Sequence, residues 1–134
     1  MDVYEFDPQV YPIKFWVLIN PTQESIDKTF KSLDGSDNKY GVDSRSCYAS
    51  VWSKILENRQ TGKWGFILCV NSPKEFTPDK MTHEAVHLAG ELWNHIEAEH
   101  IYIDDEPNAY LTGWFVECMI DALKDYKSQN KKKK

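Results

Sequence analysis

The chain has 134 residues, 41% hydrophobic and 13% aromatic, which suits one domain with a real core and excludes a disordered chain. Its formal net charge is -5, but the last eleven residues, KDYKSQNKKKK, carry six lysines and one aspartate; the body before them is near -10, which argues against a nucleic-acid surface. Cys47, Cys69 and Cys118 are odd in number and widely spaced, with no C-x-x-C pair, so neither a disulfide framework nor a cysteine zinc knuckle is expected, and a reducing compartment fits.

The opening, MDVYEFDPQVYPIKFW, is acidic and has no long apolar core, so it does not read as a signal peptide. No stretch approaches the roughly 20 apolar residues of a spanning helix. The expectation is a cytoplasmic protein with no membrane and no nucleic-acid partner. YPIKFWVLIN, rich in aromatic and β-branched residues and stopped by Asn20-Pro21, predicts a strand. A helix follows, capped by Thr22, with Ile26, Phe30 and Leu33 at helical spacing and Gly35 ending the run. SDNKYGVDSRS is polar and turn-rich, a surface loop. CYASVWSKILE and KWGFILCVNS predict an antiparallel hairpin around NRQTGK.

After Pro73 the pattern becomes helical. Thr77, Pro78 and Asp79 form a helix-start signal, and Met81, Ala85, Leu88, Leu92 and Ile96 mark one apolar stripe, predicting a helix from about residue 78 to about 98. HIYIDDEP breaks it. Asp104 or Asp105 caps a last helix reaching about residue 126. The order predicts one α+β domain over residues 1–126, a small antiparallel or mixed sheet packed on helices, followed by a disordered lysine-rich tail, 127–134.

The helix from residue 78 carries MTHEAVHLAG. His83 and His87, four apart, lie on one face about 6 Å apart along the axis, so two imidazoles can converge on one ion. Zinc is the natural guest, since it accepts nitrogen ligands in a tetrahedron. Glu84, rotated about 100° from His83, would stand beside the open position and could take a proton from a metal-bound water. Two histidines alone make a weak site. Glu91 continues the row but lies about 12 Å along the axis from His83, too far to share an ion. Glu106, at the start of the last helix, has enough chain before it to return beside the histidines. Ala109 and Gly113 on its own face would permit close helix approach. The bland alternative is a helix with two part-buried histidines, and a Glu106 that merely complements the helix dipole.

HEAVH followed after a short gap by EPNAYLTGW resembles the zincin metallopeptidases, in the branch whose third ligand is a glutamate on the next helix (gluzincin-like). It is also similar to small proteins encoded by bacteriophages and prophages. The resemblance covers about residues 77 to 120. It implies a minimal zincin-like domain with Zn2+ held by His83, His87 and Glu106, Glu84 as general base, and a peptide or protein substrate lying along WGFILCVN as an edge strand. Two departures stand out. Gly90 matches the glycine of the metzincin pattern H-E-x-x-H-x-x-G-x-x-H, but Trp93 occupies the place of its third histidine, and His95, two positions off, is a lesser alternative ligand. Tyr110 and His100 are the candidates for transition-state stabilisation, each with a structural role as the first reading. The implied activity is hydrolysis of a peptide bond. The competing reading is a non-catalytic accessory or partner-binding domain with a structural or vestigial metal site, and a third is a metal-free helix pair. The tryptophans are expected in or over the core, and the cysteines as small buried apolar groups. The oligomeric state is not legible.

Overall fold

A computed structural model describes residues 1–35, 48–52, 54–99 and 105–133. Its backbone divides into two compact units, Met1–Phe76 and Thr77–Lys134. The class is α+β, as expected, with a mixed sheet.

Two uninterrupted apolar runs organise the first unit. KFWVLI forms β2 (Lys14–Ile19) and WGFILCV forms β6 (Trp64–Val70), paired in parallel from Lys14 with Gly65 to Ile19 with Val70. Strands buried on both faces need apolar side chains at every position, which is why neither run alternates. β1 (Asp2–Phe6) does alternate, and it lies antiparallel to β2 at one end of the sheet. This strand was not foreseen, because its acidic residues hide a period-2 pattern of only five residues.

Between β2 and β6 the chain makes α1 (Gln23–Thr29), β3 (Phe30–Ser32), β4 (Ala49–Val51) and β5 (Leu56–Asn58). Thr22 caps α1 as predicted. Its hydroxyl accepts from the Ser25 N–H at 3.1 Å, and the Ser25 hydroxyl accepts from the Thr22 N–H at 2.8 Å. The helix ends at Thr29 instead of continuing past Leu33. Phe30 turns extended to pair with Asn58, and its ring packs on Trp16 with centroids 4.9 Å apart. Aromatic packing and a strand ladder here override helical spacing. The single strand expected at residues 47–57 is two short ones, both antiparallel to β6. The expected hairpin is therefore present as β5–β6, with Gly62 at φ 71° in its turn.

The sheet order is β1-β2-β6-β5-β3, with β4 also paired to β6. β6 thus has β2 along one side and β5 and β4 along the other. The expected role of WGFILCVN as an edge strand is corrected by this: its backbone groups are spent on neighbours, and the ladder ends lie at β1 and β3. Trp16, Leu18, Ile26, Phe30, Trp52, Leu56, Ile67 and Cys69 form the core on the α1 face.

The second unit holds α2 (Pro78–His95) and α3 (Glu106–Lys132), packed on each other. α2 starts at the predicted Thr77-Pro78, though the Thr77 hydroxyl bonds the Asp79 carboxylate and does not cap. Its end comes three residues early, in a Schellman arrangement. The Ala98 N–H donates to the Trp93 carbonyl at 2.9 Å and the Glu97 N–H to the Asn94 carbonyl at 3.2 Å, with Glu97 left-handed at φ 56°. α3 runs six residues beyond its expected end, so the lysine-rich segment is helical through Lys132. Lysine and glutamine are good helix formers, and cations at a helix C-terminus favour its dipole. Among the described residues, no helix is long and apolar enough to cross a membrane.

A Cβ at position 65 would stand 2.4 Å from both the Lys14 carbonyl oxygen and the Trp16 ring. Gly65→Ala is therefore expected to cost about 1–3 kcal/mol by overpacking, lowering Tm by several degrees in a circular-dichroism melt. An unchanged Tm would show that Trp16 is not fixed over this glycine.

Candidate metal centre

α2 presents Met81, Ala85, Leu88, Ala89 and Leu92 as its buried stripe, which leaves His83 and His87 on the exposed side. The helix alone then aligns the two rings. Their Nε2 atoms are 3.2 Å apart, with ring centroids 4.8 Å apart and ring planes at 75°. A tetrahedral ion with bonds of about 2.0–2.1 Å spans neighbouring donors at roughly 3.3–3.4 Å, so the two nitrogens fit adjacent corners of a zinc shell. One hydrogen bond between the rings would give the same separation.

Glu84 is half-buried, at the border between the stripe and the histidine face. Asp79 and Glu91 extend the histidine row one turn in each direction, and neither can meet an ion held by both rings of a straight helix. Asp79 is further committed elsewhere: the Thr77 hydroxyl, above all, holds its carboxyl below the usual carboxylate range.

α3 supplies the contrast. The Trp93 indole donates to the Asn108 side-chain oxygen at 2.8 Å, so the start of α3 lies level with the end of α2, and α3 packs back along it. His87 is six positions before Trp93, and Glu106 two before Asn108. At 1.5 Å per residue this sets Glu106 about 12 Å along the hairpin from His87. Glu106, Ala109, Tyr110 and Gly113 all face solvent, and a Cβ on Gly113 would meet nothing within 4 Å. The small-residue face expected to bring the helices together is therefore not the packed face of α3, whose buried residues are Leu111, Phe115, Cys118, Met119, Ala122 and Leu123. The structure brings His83 and His87 together and leaves Glu106 apart from them. Among the described residues, no group of three His, Cys, Asp or Glu side chains is arranged to hold one ion.

His95 is exposed at the last position of α2, about 12 Å along the axis from His87. Tyr110 is 78% exposed, pointing away from the hairpin core. His100, Asp104 and Cys47 lie outside the described residues. Burial pushes the Cys69 thiol up to about 12, and burial followed by Asp121 and Glu117 does the same for Cys118, so neither is a nucleophile at neutral pH.

The chain matches no family model, and no curated protein or solved structure is found similar to it.

Because Gly113 sits mid-helix in open space, Gly113→Ala is expected to stabilise the hairpin by up to about 1 kcal/mol through helix propensity. It should leave metal content unchanged. A destabilised variant would mean that the 106–113 face is packed after all.

Proposed function

We propose that this chain is a zinc-dependent hydrolase of the metallopeptidase type, with the ion seated on His83 and His87 and Glu84 as general base. What supports the reading is the 3.2 Å approach of two exposed Nε2 atoms, the separation of two donors in one tetrahedral shell. The fixed α2 backbone contributes the rest: residues four apart present both rings to one point with no loop to order. When bound, zinc would polarise a carbonyl and lower the pKa of water toward neutrality.

The other roles belong to the chain. His83 and His87, approached from solvent, would bind and orient the ion. Glu84, one position on, would accept a proton from the attacking water and return it to the leaving amine. Its half-buried setting limits the positions its carboxylate can take. Glu106 enters this reading as the third ligand only if the first turn of α3 moves toward His87. The resemblance to zincins and to phage and prophage proteins, and a cytoplasmic setting, belong to the same proposal.

The distance of Glu106 favours a second reading: a non-catalytic accessory domain that holds a metal on two histidines to stiffen α2. The two readings differ over Glu84, which a structural ion does not require.

Purified without chelator, the protein is expected to carry about one zinc per chain by elemental analysis, and His83→Ala to lose it. Metal-free wild type would end both readings. In the same assay, Glu106→Ala retaining full zinc would remove Glu106 from the shell. Glu84→Gln is expected to keep zinc but cut cleavage of a peptide library at least about 100-fold. Equal cleavage by the two proteins removes Glu84 as the general base and with it the proposed mechanism, and no cleavage by either leaves only the non-catalytic reading.

A further inference from the structure

The first unit carries a recess of about 410 Å³ that the zinc chemistry does not use. It lies between the β1–β2 loop and the β5–β6 turn, and Asp7, Gln9, Tyr11, Lys14, Lys63 and Trp64 are among its walls. The volume falls in the range of small-molecule sites, about 300–1,000 Å³.

Three features define what it could hold. The first is a fixed aromatic plate. Trp64 is 50% exposed, yet its indole N–H donates to Glu57 at 3.3 Å, and Glu57 is itself gripped by Lys31 at 2.7 Å. The Lys31 contact, followed by the Trp64 bond, holds the Glu57 carboxyl below its usual range, so the anchor stays charged. An exposed tryptophan held in one orientation offers apolar area to a ligand without much further loss of side-chain freedom.

The second is a wall stiffened by its own bonds. The Asp7 carboxylate takes Lys14 at 2.5 Å on one oxygen and the Gln9 N–H at 2.7 Å on the other, pinning the loop with Gln9 left-handed at φ 64°. Across the mouth, Asn58 accepts from Gln60 and Thr61, and Gly62 donates back to the Asn58 carbonyl.

The third is charge. Lys14 is paired with Asp7, and Lys63 approaches Glu5 at 3.8 Å. Each cation thus has a carboxylate beside it, which offsets its charge and weakens the preference of the recess for an anion. It does combine donors from Lys63 with a carboxylate acceptor at Asp7 and an amide at Gln9 that can do both. A neutral ligand with many hydroxyls, each both donor and acceptor, matches that mixture, and its apolar C–H face matches the indole.

We propose that this recess binds a neutral saccharide, with one pyranose ring stacked on Trp64 and its hydroxyls bonded to Lys63, Gln9 and Asp7. Sequence spacing offered no support for such a role, since Trp64 reads there as one more core residue. Only the pairing of β5 with β6 and the fold of the β1–β2 loop bring the polar groups to the ring. The site is independent of His83 and His87.

The test is a titration of the full-length ¹⁵N-labelled protein with glucose, galactose, mannose, N-acetylglucosamine, cellobiose and chitobiose. The Trp64 indole N–H, assigned with Trp64→Phe, is followed together with the Lys63 and Gln9 amides. At least one sugar is expected to shift all three signals saturably. Trp64→Ala should weaken binding about tenfold or more, and Gln9→Ala by several-fold, the loss of a stacking face and of a hydrogen bond. A circular-dichroism melt of each variant confirms folding, and Gln9→Ala, on an exposed loop residue, keeps the test open if Trp64→Ala does not fold. No saturable shift with any of the six sugars overturns the proposal. So does binding that persists at full strength in both variants. Shifts of the same signals by AMP but by none of the neutral sugars would also overturn it, replacing a saccharide with an aromatic anion.

Discussion

The parallel contact between β2 and β6 is the constraint on which the first unit depends. A parallel pair cannot be closed by a tight turn, so the chain must leave β2, cross over and return. That excursion contains α1, β3, β4 and β5, and each is placed by what it must do on the way. α1 lays Ile26 over the Trp16 face, Phe30 adds its ring to the same cluster, and β5 and β4 fill the far side of β6. At the start of the pair Trp16 lies across Gly65, a position where any side chain would collide with it. The Trp16 indole N–H also reaches Glu5 on β1 at 3.0 Å, so one residue joins β1, β2 and β6.

The second unit follows a simpler rule. A helix with its apolar stripe buried leaves the opposite face to solvent, and residues four apart on that face meet without further help. The His83–His87 approach is therefore a local property of α2. A third protein donor is not local, because it must come from another element, and its position depends on how α3 docks. The Trp93–Asn108 bond and the buried stripe of α3 decide that docking, and they turn the Glu106 face outward. The approach of the two imidazoles and the outward turn of Glu106 thus have separate origins in the fold.

Stiffness is unevenly distributed over the two candidate sites. At the β1–β2 loop and the β5–β6 turn, short-range bonds from Asp7 and Asn58 fix the backbone and an ion-paired carboxylate fixes Trp64. At α2 the helix fixes the backbone but the imidazoles stand in solvent, where their geometry can adjust to an ion. A preorganised recess suits weak recognition of a neutral ligand, and an adjustable pair suits a metal that supplies its own ordering energy.

Local signals were legible in the sequence: the Thr22 and Thr77-Pro78 helix starts, the apolar run of β2, the β5–β6 hairpin, the α2 stripe and the histidine pair on its polar side. They rest on spacing within a few residues, where one backbone geometry dominates. The tertiary structure alone decided the rest. It turned Phe30 from helix to strand, placed β6 inside the sheet and not at its edge, and set Glu106 away from the histidines. It also gathered Trp64, Lys63, Gln9 and Asp7 around one recess. Each of those outcomes is a choice between partners distant along the chain, made by burial and strand pairing that no local pattern encodes.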